Sequence, residues 1–213
     1  RSGTTLLEQI LSSHSQIDAA GEVDEVLRFA KEVPYPECAT DPNPDWANRY
    51  LQRLNSDFKY CTDKMPLNYL HIGLIKSIFP NAKILHTTRN PLDTFVSCYS
   101  NTFTKVHAFT SNIEHFGTVY ECYLDIMKHW QTLYPEIFEV NYETLISDFE
   151  GTIQTVISHL GLDFEENCLT FFKNRKVSQT PSIDQVRQPI YLTSINRWTN
   201  YEQELGAIKF LQQ

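Results

Sequence analysis

The chain begins Arg1-Ser2-Gly3-Thr4-Thr5 and runs straight into Leu6, Leu7, Ile10 and Leu11, the apolar spacing of a helix. A cation, a glycine and three hydroxyls at a helix mouth suit an anion. Gly3 permits close backbone approach, while the unpaired N–H groups and positive dipole end of the helix face whatever negative group sits there. A phosphate or sulfate ester is the guest such a cradle takes. Taken alone, the same hydroxyls could equally cap an ordinary helix, where Ser and Thr are preferred. Farther along, residues 83–88 read as a strand that ends on Arg89, and Asn90-Pro91 opens a helix carrying Ser97. Arg89 therefore stands where ligands lie in open α/β sheets, outside the carboxyl ends of the strands.

Two further residues have the chemistry of a proton acceptor and a charge stabiliser. Glu22, in Ala20-Gly21-Glu22-Val23, carries a carboxylate able to take a proton, and on its own reads as a first-turn glutamate that favours the dipole of a helix over 22–31. Lys64, in Asp63-Lys64-Met65-Pro66, follows a short candidate strand over 58–61, with a solvated loop lysine as the plain alternative. The Gly-Lys-Ser/Thr ending of an ATP-binding loop is absent from residues 1–5, so no lysine there would meet the outer phosphates of a triphosphate. A nucleotide kinase or phosphotransferase would share the strand, anion loop and helix but need magnesium with ATP. A non-catalytic nucleotide-binding module would keep the cradle without a working base. The five cysteines are widely spaced with no CxxC pair, and the seven histidines are scattered, so no metal is expected.

The elements that must position these residues alternate. After the opening helix and the second one come a proline-rich loop over 34–44, a short helix around Trp46, Tyr50, Leu51 and Leu54, and the strand before Asp63. Pro66 suits the first position of a helix over 67–78. The Arg89 strand and Ser97 helix follow, then a long helix over 113–133 whose Phe116, Val119, Tyr120, Tyr123, Leu124, Met127 and Trp130 share a face expected in the core. A strand over 137–140 leads to Tyr142 and a helix through Ile153, Val156, Ile157 and Leu160, capped by Gly161. Strands alternating with helices imply an α/β fold, a mostly parallel central sheet with helices on both faces. Cradles of this kind normally lie between a buried strand and the helix they open. No such strand precedes Arg1, so the reading is a single domain over 1–213, truncated at its anion loop.

At 213 residues with 41% hydrophobic content and no apolar run near membrane-spanning length, a single globular domain is expected. The formal charge of −8 opposes wrapping by nucleic acid, so an anionic ligand must be held by a local cluster. The odd number and wide spacing of the cysteines point to a reducing, cytoplasmic compartment, the alternative being a Golgi or secreted protein that uses two or four of them in bridges.

Residues 1–5 resemble the 5′-phosphosulfate loop of sulfotransferases. The resemblance extends through Lys83 to Asn101, where Ser97 follows Arg89 by eight residues as in the family's 3′-phosphate motif. It also extends to the segment from Ser182 through Arg187 to Tyr191, ending at Arg197-Trp198, which looks like the covering loop of the tyrosylprotein-sulfotransferase branch. The chain is most similar to the bacterial members of that branch, often fused to tetratricopeptide repeats, so the resemblance admits a repeat domain before Arg1. It implies a P-loop-NTPase-like fold and 3′-phosphoadenosine 5′-phosphosulfate (PAPS) as donor, with the bisphosphate PAP as product. Arg1, Ser2, Gly3, Thr4 and Thr5 would grip the phosphosulfate. Arg89 and Ser97 would hold the 3′-phosphate, and Tyr142 would contact the nucleotide. Arg197 stands where animal enzymes carry a cofactor-binding lysine. Glu22 matches the catalytic base, Lys64 the lysine at the bridging oxygen of the leaving phosphate, and Ser182 a transition-state serine. One position departs: the arginine expected four residues after Ser97 is Asn101, leaving Arg187 as a candidate replacement. The acceptor implied is a hydroxyl, of a peptide tyrosine, a glycan or a small alcohol. Asp24, where animal enzymes have a basic residue, disfavours acidic peptides.

Overall fold

The computed structural model describes residues 1–101, 105–174 and 187–212. Ser182 lies outside them. The opening helix α1 spans Thr4–Leu11 and β1 spans Ile17–Ala19. Helices α2 (Glu25–Glu32), α3 (Glu37–Thr40) and α4 (Trp46–Leu54) precede β2 (Tyr60–Thr62). A 3₁₀ turn over Pro66–His71 runs into α5 (Ile72–Ile78), followed by β3 (Leu85–Thr88) and α6 (Pro91–Tyr99). Then come α7 (Ile113–Leu133), β4 (Phe138–Asn141), α8 (Tyr142–Ser147) and α9 (Phe149–His159), and the described remainder is short 3₁₀ segments.

The strands are all parallel, as the alternation requires, but they form two separate pairs. In one, β1 pairs with β2 through Ile17–Tyr60 to Ala19–Thr62. In the other, β3 pairs with β4 through Leu85–Phe138 to Thr88–Asn141. Helices cover them from both sides. Leu7, Ile10 and Leu11 of α1 meet Ile17, Val140 and Ile153 in the largest core, and each such aliphatic burial stabilises by about 1.5–3 kcal/mol. A second core joins Leu92 and Phe95 of α6 to Phe116 of α7 and Leu205 and Ile208 near the end of the chain. A third stacks Phe29 on Trp46 at 4.7 Å over Leu74.

Several expectations shift. The second helix starts at Glu25, so Glu22 lies on the loop before it. The segment after Pro66 begins as 3₁₀ and becomes α-helical only at Ile72. Strand β1 carries too little pattern to be foreseen. Along α7, Phe116 and Met127 are buried, but Leu124 is 45% exposed and is not core. All five cysteines are free, Cys38, Cys98 and Cys168 being buried. No described helix is long and apolar enough to cross a membrane.

Candidate functional site

The carboxyl ends of all four strands point to one edge, and the loops leaving them are tied together. Gly3 caps α1 with φ +96°, a left-handed conformation that glycine adopts without strain. A Cβ there would meet the Tyr142 ring at 2.5 Å, so the cradle's backbone lies directly against the start of α8. Ser2 Oγ reaches Thr87 Oγ1 of β3 at 3.0 Å. Arg1 Nε donates to Ser97 Oγ at 3.0 Å, joining the two anion motifs that are 96 residues apart in sequence.

Arg89 closes the same corner. Its guanidinium donates to the carbonyls of Arg1 (3.0 Å) and Ser194 (2.7 Å) and lies 4.5 Å over the Tyr142 ring. Tyr142 in turn shares a 2.7 Å hydrogen bond with Ser194 Oγ. Arg89 Nε is buried and has no hydrogen-bond acceptor among the described residues. Burial lowers the pKa of Arg1, and the neighbouring Arg89 adds to the effect. Two guanidiniums in one partly buried corner, one with an unanswered donor, favour an anion between them. These residues fit a phosphate-bearing ligand.

The opposite wall carries Glu22 and Lys64. Lys64 is 8% exposed and its ammonium donates to Glu22 Oε1 at 2.7 Å. Their loops are held in register by the backbone: Ala20 N donates to Thr62 O at 3.0 Å and Lys64 N to Gly21 O at 2.7 Å. Asp63 reinforces the junction, accepting from Tyr50 Oη (2.7 Å), Asn68 Nδ2 (3.0 Å), Met65 N (3.0 Å) and Val23 N (3.4 Å). Burial raises the Asp63 pKa, against the opposing pull of these donors. From α1, Glu8 Oε1 accepts from Gly21 N and Thr62 Oγ1, each at 3.1 Å, linking the helix that opens the cradle to the loop that carries Glu22. One cavity is lined by Arg1, Ser2, Thr4, Glu22, Lys64 and Arg89 together.

The structure thus assembles Arg1, Ser2, Gly3, Thr4, Arg89, Ser97 and Tyr142 around one corner and Glu22 and Lys64 beside it. Thr5, one residue into α1, is buried. Asn101 bonds its side-chain amide to Ser97 O at 2.7 Å, capping its own helix where the family motif has an arginine. Arg187 and Arg197 are both exposed, the first opening the described C-terminal segment and the second starting a 3₁₀ turn, Arg197–Tyr201, within it. Four residues escaped the sequence reading: Glu8, Asp63, Asp93 and Ser194. Asp93, 1% exposed, accepts from Asn196 N (2.7 Å) and Trp198 N (2.9 Å), fastening the chain around Arg197 to the helix that bears Ser97. Only Asp63, beside Lys64, had a sequence signal that could have pointed to it.

The fold is an α/β domain whose candidate site sets a guanidinium-lined corner beside a carboxylate–lysine pair. A family model described as "Sulfotransferase family" matches residues 1–166, and the chain belongs to that family. An uncharacterised protein of Aquifex aeolicus (strain VF5) is 35% identical over 237 residues, covering all of this chain. The chain spans 31% of that relative's length. Among solved structures, the sulfotransferase domain of the Synechococcus PCC 7002 olefin synthase superposes with a TM-score of 0.69 at 18% identity, over 93% of this chain and 83% of that one. At that identity the likeness speaks for the fold.

Proposed function

We propose that the chain transfers a sulfuryl group from PAPS to a hydroxyl acceptor. The observation that carries this reading is the Lys64–Glu22 pair at 2.7 Å, set beside an anion corner built by Arg1, Gly3, Arg89 and Ser97. PAPS, when bound, supplies the sulfuryl group and a phosphate that leaves with growing negative charge. Residues 1–5 hold its phosphosulfate end, Arg89 and Ser97 its 3′-phosphate, and Tyr142 supports both by carrying Gly3 and Arg89 on its ring. Glu22 accepts the proton of the acceptor hydroxyl as that oxygen forms its bond to sulfur and the bond from sulfur to the phosphate oxygen breaks. Lys64 meets the charge left on that phosphate oxygen. The arginines and Lys64 supply the positive charge this step needs. On the strength of the resemblance, Ser182 is assigned to the transition state and Arg187 and Arg197 to the nucleotide in this proposal. Asp24 is engaged by Arg28 at 3.1 Å, so its charge is partly spent on its own helix.

The test has two arms. PAP at about 100 times its dissociation constant should raise Tm by about 5–11 °C, from ~2.7 kcal/mol of ligand stabilisation at ~2–4 °C per kcal/mol. Stabilisation by ATP with magnesium but not by PAP would overturn the reading. In the second arm, labelled sulfate transfer to peptide tyrosine, glycan and small-alcohol acceptors should fall about 10²–10⁴-fold in Glu22→Gln while PAP binding stays within a few-fold of the parent.

A further inference from the structure

The backbone ladder joining the loops after β1 and β2 stops one residue short of the proposed base. Its last rungs are Ala20 N on Thr62 O and Lys64 N on Gly21 O. Gly21 then turns the chain with φ +71°, so the ladder itself does not set where Glu22 goes. Packing does not set it either, since the Glu22 side chain is 43% exposed. Asp24, at the start of α2, makes no side-chain capping hydrogen bond among the described residues. The two loops are rejoined just beyond the pair, on a single atom. Asp63 Oδ1 accepts from Val23 N at 3.4 Å and from Met65 N at 3.0 Å, the residues that directly follow Glu22 and Lys64. Its other oxygen accepts from Tyr50 Oη of α4 at 2.7 Å and from Asn68 Nδ2 of the 3₁₀ turn at 3.0 Å. Helix α4 is anchored in turn by Trp46, fully buried and stacked on Phe29 of α2.

We propose that Asp63 is a positioning residue of the transfer reaction, one carboxylate that sets Glu22 against Lys64 by holding the peptide that follows each of them. Its effect on rate rests on the sulfuryl-transfer reading; its effect on geometry does not. Glu22 is bracketed. Gly21 before it is held at its N–H by Glu8 and at its carbonyl by Lys64 N, and Val23 after it is held by Asp63. Lys64 is bracketed in the same way, with Thr62 Oγ1 on Glu8 and Met65 N on Asp63. Removing Asp63 leaves the leading side of each residue fastened and frees the trailing side, so both loops can swing. All four partners of Asp63 are donors, which a carboxylate meets with two oxygens and an alkyl side chain with none. A group that takes a proton and one that meets a departing charge must be held within about 0.5 Å of their working places. Misplacement by about 1 Å costs on the order of a hundredfold in rate. Asp63 acts only through Glu22 and Lys64, not on the reacting oxygens.

The test compares the parent with Asp63→Ala and Asp63→Asn. Asp63→Ala should lower kcat for sulfate transfer about a hundredfold while PAP affinity stays within a few-fold of the parent. An asparagine keeps one oxygen for Val23 N and Met65 N, and the Asn68 amide can turn over to meet its NH₂ group. Asp63→Asn should therefore recover transfer to within about tenfold of the parent. In a Glu22→Gln background the loss caused by Asp63→Ala should shrink at least about tenfold, because a base that has been removed cannot be misplaced. A further readout needs neither donor nor acceptor. Reductive methylation of Lys64, buried and paired in the parent, should quicken at least about fivefold in Asp63→Ala relative to exposed Lys128. Losses from Asp63→Ala and Glu22→Gln that simply multiply, with Lys64 labelling unchanged, would overturn the proposal, as would an Asn variant as slow as Ala. A parent chain that transfers no sulfate retires the sulfuryl-transfer reading alone, and Lys64 labelling then decides on Asp63. If Asp63→Ala does not fold, Tyr50→Phe combined with Asn68→Ala releases the same carboxylate from α4 and the turn. Both kcat and Lys64 labelling should then shift in the same directions, and no change in either would overturn the proposal.

Discussion

Gly3→Ala isolates the cradle geometry from its charge. The new methyl carbon would sit 2.5 Å from Tyr142 Cδ2 and 3.2 Å from Cε2, at a residue whose φ is +96°. Forcing an L side chain into the left-handed region costs about 1–2 kcal/mol. Displacing a well-packed ring adds about 1–3 kcal/mol. The sum, about 2–5 kcal/mol, lowers Tm by roughly 4–20 °C at ~2–4 °C per kcal/mol for a domain of this size. Gly161→Ala is the matched control: its φ is +71° and a Cβ there meets nothing within 4 Å, so only the backbone term applies. The ring cannot move without consequence, because Tyr142 carries the Arg89 guanidinium at 4.5 Å and bonds Ser194 at 2.7 Å. PAP affinity should therefore fall at least about tenfold in Gly3→Ala, equivalent to ~1.4 kcal/mol, and stay unchanged in Gly161→Ala. Differential scanning calorimetry and isothermal titration read the two effects. Equal Tm losses in the two variants, with PAP affinity intact in both, would refute the reasoning that Gly3 exists to let Tyr142 approach.

Lys64→Ala should reduce sulfate transfer about 10²–10³-fold, the cost of removing one aimed donor, and single-turnover rates would show a much smaller loss if Lys64 serves only to hold Glu22. Asp93→Asn keeps the side-chain shape but replaces one of the two acceptors used by Asn196 N and Trp198 N with a donor. It should cost about 1–3 kcal/mol in stability and loosen the segment bearing Arg197, so hydrogen exchange at residues 194–198 that matches the parent would count against it. Burial lowers the pKa of His71 and His86 below the ordinary 6.5, with Glu139 opposing in part at His86. The unfolded chain then binds these protons more readily, so their stability contribution is complete above pH 6.5 and is lost as pH falls through the window below it. Urea midpoints measured from about pH 8 to about pH 5 should drop, with a shallower slope in His86→Gln, and an unchanged slope in that variant would remove His86 from the account.

The candidate site was legible where its residues are local. Arg1 to Thr5 read as a candidate anion cradle because a glycine, hydroxyls and a helix start must be adjacent to make one. Arg89 and Ser97 are tied by a strand end and a proline-opened helix that show in the sequence as a change of period. The long helix over 113–133 appears with its ends at the expected residues because twenty-one residues give the pattern room to repeat. By contrast, Ile17-Asp18-Ala19 is a strand of three residues with one fully buried side chain, held by its pairing with Tyr60–Thr62. Nothing within those residues separates it from a turn. Leu124 shows the limit from the other side, since helical spacing marks a face but not how far the rest of the domain extends along it. Glu8, Asp93 and Ser194 were invisible for a different reason. Their partners lie 13 to 105 residues away, and a buried carboxylate on a helix reads as surface until its N–H partners are placed.

Those long-range partners also explain why one short helix can organise the site. From α1 and its cap, Ser2 reaches Thr87 on β3, Gly3 lies against Tyr142 at the end of β4, and Glu8 holds Gly21 after β1 and Thr62 at the end of β2. One eight-residue helix and its leading loop therefore touch the carboxyl ends of all four strands. Because interiors are close-packed, a sideways shift of α1 cannot be absorbed locally and must move the Glu22 loop and the cradle together. The spacing between Glu22, the proposed proton acceptor, and the corner proposed to hold the anion is consequently set by a rigid body, not by two independent loops. A transfer reaction in line between two oxygens demands that arrangement, since misplacing either end by about 1 Å costs on the order of a hundredfold in rate.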